Sequence, residues 1–224
     1  MLKITLTDGK IPYEPLARLH SRQRPVLPDT AEWKGSVRGF TCWNLFAFKR
    51  TGLDMVCLMR RRSQSPTTFP RMITDCGVPT MIKTDNAPEF KGKRWVSHLE
   101  NLTIASGFTE AHRPNQNLAE RRGGALKVAT VHLLKVLEAP LEFWCYALEH
   151  MSLIRSVRAW RSLDWQTPHE RHWGEQLDLS VFRFTFWETV WYYNPRQAFP
   201  QPKMLKGRFW ESPRILGTHS AFLF

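Results

Sequence analysis

Thr84-Asp85-Asn86-Ala87-Pro88-Glu89-Phe90 decides the reading of this chain. It continues from the short apolar run Val78-Pro79-Thr80-Met81-Ile82-Lys83-Thr84, which predicts a strand over 78–84 that delivers Asp85 at its carboxyl end. An acid at that place points into the crevice where open α/β sheets bind ligands. Thirty-five positions after Asp85 comes Glu120, in Asn115-Gln116-Asn117-Leu118-Ala119-Glu120-Arg121-Arg122, where a long helical stretch opens. The intervening helix and strand can return the chain to the same sheet edge, so the two carboxylates can converge. Alone, an Asp-Asn pair is ordinarily a turn, and a Glu early in a helix is ordinarily a surface acid facing the helix dipole. Together they are distinctive. Convergent carboxylates without Cys or His partners suit the hard ions Mg²⁺ or Mn²⁺ rather than zinc, and such sites serve two-metal phosphoryl chemistry.

The surrounding pattern supplies a frame for that site. Residues 39–48 and 53–59 are apolar runs joined by Lys49-Arg50-Thr51-Gly52, a hairpin signature. Helices are predicted over 65–76, 93–106, 115–137 and 141–160, and a short strand over 108–112. Strands alternating with helices imply an α/β core with a mixed sheet. The first thirty residues, with Pro12, Pro15, Pro25 and Pro28, read as irregular, and 1–23 is taken as an N-terminal arm. After Leu163 the composition turns aromatic, and 181–224 carries six Lys or Arg against two Glu. The expected division is therefore a core over 24–163 and a basic, β-rich extension over 164–224, with short strands near 189–193 and 206–210.

Composition narrows the partners. The 224 residues carry 32 Lys and Arg against 20 Asp and Glu, a net charge of +12, which points to a polyanion such as nucleic acid. No apolar run is long enough to span a membrane, and the N-terminus has no signal-peptide stretch. The four cysteines, Cys42, Cys57, Cys76 and Cys145, form no paired motif and fit free thiols in a reducing compartment. An intracellular location, nucleus or cytoplasm, is expected.

Four strings carry a family resemblance: Val78-Pro79 with Asp85-Asn86-Ala87-Pro88-Glu89-Phe90; Arg113-Pro114-Asn115-Gln116-Asn117 with Ala119-Glu120-Arg121; Leu141-Glu142-Phe143-Trp144 with Ala147; and Thr167-Pro168-His169-Glu170 before Gly174. In order and spacing they resemble the integrase core of copia-type LTR retrotransposons, within the retroviral integrase superfamily. Asp29-Thr30 with Gly39-Phe40-Thr41-Cys42 after it, and Trp191-Tyr192-Tyr193 with Gly207-Arg208, look like algal or diatom members. The resemblance covers roughly 24–216. It implies an RNase H-like fold, with a mixed five-stranded sheet flanked by helices, and a DDE polynucleotidyl transferase that joins element DNA ends to target DNA. It further implies Mg²⁺ or Mn²⁺, a homo-oligomer when active, and no small-molecule cofactor.

By that resemblance the second acid is Asp85 and the third Glu120. Asp29, 56 positions before Asp85, has the spacing of the first, whereas Asp54 is only 31 before it. The chain departs from the family in two respects. Only Leu118 separates Asn117 from Ala119-Glu120, one residue fewer than usual, and the zinc module of full integrases has no counterpart. The chain is thus expected to be a piece of a retroelement polyprotein. The alternatives are a catalytically dead nucleic-acid-binding remnant and an RNase H-like nuclease.

DNA contacts are assigned to Asn86, Gln116, Asn117 and Arg121 around the carboxylates, and to Lys127, which shares a helix face with Glu120. Arg60-Arg61-Arg62 and, in the extension, Lys206 and Arg208 are further phosphate contacts. His169 and His172 lack a third ligand in reach and read as packing residues rather than a metal site.

Overall fold

The computed structural model describes residues 2–7, 20–21, 35–84, 87–108 and 118–210. Asp29, Asp85, Asn86, Gln116 and Asn117 lie outside them.

The predicted hairpin forms. Strand β3 (Cys42–Phe48) pairs antiparallel with β4 (Asp54–Met59), from Cys42↔Met59 to Ala47↔Asp54. Every residue of β3 is buried because both faces of the strand are covered, which is why its sequence is a continuous apolar run. Alternation still sorts its side chains. Cys42, Phe46 and Phe48 join one core cluster with Phe69, Met72, Trp95 and Leu99; Trp43, Leu45 and Ala47 join the other with Leu126, Leu134, Trp144 and Leu148. The exception is Asn44, fully buried, whose Nδ2 donates to Ser65 Oγ at 3.0 Å and Thr68 Oγ1 at 2.7 Å. These bonds pin the first turn of helix α1 (Ser65–Cys76) onto the sheet. Pro66 occupies that first turn, and Pro70 sits on the exposed side, so the helix runs through both.

The sheet order is β4-β3-β1-β5-β6. Strand β1 is Leu2–Thr7, parallel to β3 and antiparallel to β5 (Met81–Thr84); a two-residue strand β2 (His20–Ser21) pairs with it. This corrects the expectation of an irregular arm. The alternation Leu2, Ile4, Leu6 against Lys3, Thr5, Thr7 is a strand signal, and the strand fills the place between hairpin and β5.

Helix α2 (Lys93–Asn101) ends five residues earlier than expected, and strand β6 is Ala105–Phe108 rather than 108–112. Thr103, at φ 52°, turns the chain left-handed, and the Ile104 amide closes the turn on the Leu99 carbonyl at 2.9 Å. Strand β6 then pairs parallel with β5, Met81↔Ala105 to Thr84↔Phe108. Gly107 fits beneath the Lys83 stem, whose carbons lie 3.4 Å from where a Cβ would stand.

Helices α3 (Leu118–Val136) and α4 (Trp144–Val157) pack on the second face of the sheet. Helix α5 (Pro168–Trp173) is opened by a capping box. The Glu170 amide donates to Thr167 Oγ1 at 3.0 Å, and the Thr167 amide to Glu170 Oε2 at 2.8 Å. Beyond it, β7 (Thr189–Tyr193) and β8 (Met204–Arg208) form a separate antiparallel ribbon. The segments flanking the ribbon dock on α4 and the turn before it through aromatic contacts: Phe143 to Trp187 at 4.5 Å, Tyr146 to Trp210 at 3.7 Å and His150 to Phe186 at 5.3 Å between ring centres. All four cysteines are free, and burial pushes the Cys57 thiol up to about 12. Among the described residues, no helix is long and apolar enough to cross a membrane.

Candidate nucleic-acid interface and carboxylate site

The amino-terminal turn of α3 is held against the tip of the β3–β4 hairpin. Arg122 Nη1 donates to the Phe48 carbonyl at 3.0 Å, the Leu53 carbonyl at 3.4 Å and Asp54 Oδ1 at 3.0 Å. Arg155, from α4, donates through Nε to Asp54 Oδ2 at 3.2 Å, and Ser152 Oγ donates to the Asp54 backbone carbonyl at 2.7 Å. Asp54 is 2% exposed and each of its carboxylate oxygens faces a guanidinium. Such a carboxylate is a structural anchor for two helices. Both of its oxygens are already engaged by guanidinium groups.

Glu120 stands two residues before Arg122, half-buried in the first turn of α3. A carboxylate here is favoured by the helix dipole. Lys127 lies seven residues further along the same helix and is also half-buried. On the β5 side the described chain stops at the buried Thr84 and resumes at Ala87. Glu89 follows in a short 3₁₀ turn, and its Oε2 is buried with no hydrogen-bond partner among the described residues; Oε1 lies 3.8 Å from Arg62 Nη1.

A cleft of about 390 Å³ opens beside Leu118, Arg121 and Arg122. Six cations line it: Lys49 and Arg50 from the hairpin turn, Arg121 and Arg122 from α3, Arg155 from α4 and Arg171 from α5. Arg155 also lies over the Trp160 ring at 5.3 Å, and Arg158 over the same ring at 5.1 Å. Arg171 is shared with the exposed Asp164 at 3.4 Å. Arg122 and Arg155 are committed to Asp54, and Lys49, Arg50, Arg121 and Arg171 line the rest of the cleft. Of these only Arg121 was singled out from sequence. The others come from segments far apart in the chain, and no local pattern joins them.

The remaining sequence assignments separate. Arg60 and Arg61 are exposed, and their amides donate to Gln64 Oε1 at 2.8 Å and 3.1 Å. Arg62 is turned toward Glu89, with Nη1 3.8 Å from Oε1. Lys206 and Arg208 are exposed on the ribbon. His169 Nδ1 lies 3.0 Å from the Glu175 carbonyl, and His172 bridges the Cys76 carbonyl at 2.9 Å and Thr51 Oγ1 at 3.3 Å. Among the described residues, no three His, Cys, Asp or Glu side chains are gathered to hold a metal ion. Of the three acids assigned from sequence, only Glu120 lies within them. The donor set of the site assigned from sequence is all carboxylate oxygen, and the Glu89 oxygen that has no hydrogen-bond partner among the described residues, four positions after Asp85, is of the same hard character.

Comparison with solved structures finds retroviral integrases. A chain of the cryo-EM structure of the simian T-cell lymphotropic virus intasome, in complex with PP2A regulatory subunit B56 gamma, matches with a TM-score of 0.51 at 19% identity, over 75% of this chain and 61% of that one. The HTLV-2 integrase catalytic core domain, solved with magnesium in a trimeric form, matches with a TM-score of 0.49 at 20% identity, over 58% of this chain and 84% of that one. The BIV integrase catalytic core matches with a TM-score of 0.44 at 17% identity, over 56% and 81%. No family model and no curated protein sequence matches the chain. At 19% identity the likeness to the intasome chain is one of fold, a mixed α/β fold.

Proposed function

We propose that this chain is the core of a copia-type integrase, an RNase H-like polynucleotidyl transferase that joins the 3′ ends of element DNA to target DNA. The observation that carries the reading is the Arg122 anchor. It fixes the first turn of α3, with Glu120, beside a cleft of six cations in a fold similar to that of a retroviral intasome chain. Asp29, Asp85 and Glu120 would hold two Mg²⁺ or Mn²⁺ ions. When bound, such ions activate an attacking hydroxyl and stabilise the leaving oxygen of an in-line phosphoryl transfer. The chain's own residues do the rest. Lys49, Arg50 and Arg121 hold backbone phosphates, while Asn86, Gln116 and Asn117 hydrogen-bond the nucleotides at the carboxylates. No side-chain nucleophile and no covalent enzyme intermediate is needed. Residues 24–163, together with strand β1, would form the catalytic unit and 164–224 a DNA-holding extension. The working form is a homo-oligomer on DNA, in the nucleus or cytoplasm.

One observation favours a second reading, a nucleic-acid-binding remnant without catalysis. The strand between β3 and β5 is Leu2–Thr7, which contains no acid. Mn²⁺ binding followed by paramagnetic resonance separates the two. The integrase reading expects about two bound ions, and weaker binding in Glu120→Gln. Equal Mn²⁺ binding by the wild type and Glu120→Gln would remove Glu120 from the site.

A further inference from the structure

The two faces of the β7–β8 ribbon differ. Val190, Tyr192, Leu205 and Gly207 are buried or half-buried. The other face presents Trp191, 65% exposed, and Tyr193, 58% exposed, with Lys206 directly across from Trp191 and Arg208 across from Thr189. Rings and cations therefore sit side by side on one exposed surface. Successive outward residues of a strand are about 7 Å apart, roughly twice the rise of stacked bases, so Trp191 and Tyr193 leave room for a base between them.

A groove of about 370 Å³ continues this face toward the core, lined by Phe143, Trp187, Thr189, Lys206, Arg208 and Trp210. Arg208 is oriented over it. Its Nη1 donates to the Trp187 carbonyl at 3.2 Å, and its guanidinium lies 5.8 Å from the Trp187 ring centre. Trp187 holds φ at 65°, a conformation that bulky residues rarely adopt and that concentrates at ligand-binding places. The buried Trp210 Nε1 has no hydrogen-bond partner among the described residues.

We infer that the outer face of this ribbon binds single-stranded nucleic acid, stacking bases on Trp191 and Tyr193 while Lys206 and Arg208 hold the phosphates. Duplex DNA keeps its bases stacked internally and would engage only the cations. A single strand engages both, and interleaved rings and cations are its recognition chemistry. The inference extends the nucleic-acid reading of the chain without depending on the carboxylates.

The test is fluorescence anisotropy on the full chain in EDTA, so that catalysis plays no part, with labelled oligo(dT), oligo(U) and a duplex of equal length. Wild type should bind single strands, and Trp191→Ala with Tyr193→Ala should weaken that binding about 10-fold or more while duplex affinity stays within about twofold. Trp191→Phe, which keeps a ring, should restore part of the loss. A thermal melt confirms that each variant folds. The oligo(dT) and oligo(U) arms distinguish DNA from RNA, and preferential binding of either supports the site. An unchanged single-strand affinity in a folded double variant would overturn it. So would equal losses on single strand and duplex, or no single-strand binding by the wild type at low salt, the result expected if a protein covers this face.

Discussion

Asp54 and Arg122 form an ion pair of 3.0 Å in which the carboxylate is almost wholly buried, and Arg155 completes it from the other side at 3.2 Å. The pair joins the hairpin, α3 and α4 at one point. Asp54→Ala would leave two partly buried guanidinium groups uncompensated, at a cost of about 3–5 kcal/mol. Urea denaturation measures it. Arg155→Met in the Asp54→Ala background should recover part of the loss, since it removes one stranded charge.

Gly52 should resist substitution for a different reason. Its φ is 80°, and an added Cβ would stand 2.9 Å from Leu163 Cδ1. Gly52→Ala therefore meets both backbone strain and a side-chain clash. A loss of about 1–2 kcal/mol is expected in the same denaturation experiment.

His150 makes stability depend on pH. Burial lowers its pKa from 6.5 to about 4, and its ring packs against Phe186 and Phe182. The native state holds the imidazole neutral over a range in which the unfolded chain protonates it. The unfolded state thus binds more protons between pH 6.5 and about 4, and stability from this residue falls as pH drops through that window. Chemical denaturation at pH 7 and pH 4.5 should show a smaller difference for His150→Gln than for wild type. Near-ultraviolet circular dichroism should report the loosening of the aromatic contact.

These relationships mark what was legible in the amino-acid order. The hairpin was plain because both its faces are buried, which makes the apolar run continuous. Glu120 was legible as an acid in the first turn of a long helix. Asp54 was not legible as an anchor, because its partners are 68 and 101 residues away. Strand β1 carries a sound alternation, but nothing local to six residues says that they insert between two distant strands. The end of α2 was missed because Thr103, not a glycine, makes the left-handed turn. The cleft's cations came together only through tertiary packing.

That cleft predicts how duplex DNA is held. Arg50→Glu with Arg121→Glu, both outside the Asp54 network, should weaken duplex binding and flatten its salt dependence by roughly two phosphates' worth of slope. Titrations at several salt concentrations check this. An unaltered slope would move the duplex path elsewhere.

Metal-dependent joining at Asp85 and Glu120 can be measured directly. Its most direct test mixes the protein with a labelled duplex ending in a free 3′-hydroxyl, a supercoiled plasmid and Mg²⁺ or Mn²⁺, and measures label covalently joined to the plasmid. Duplex binding is followed in parallel. Asparagine matches aspartate in size but is a far poorer ligand for a hard divalent ion. Joined product is expected with wild type and none with Asp85→Asn, with unchanged duplex binding by both. Binding without joining by the wild type, or joining at the normal rate by Asp85→Asn, would contradict it.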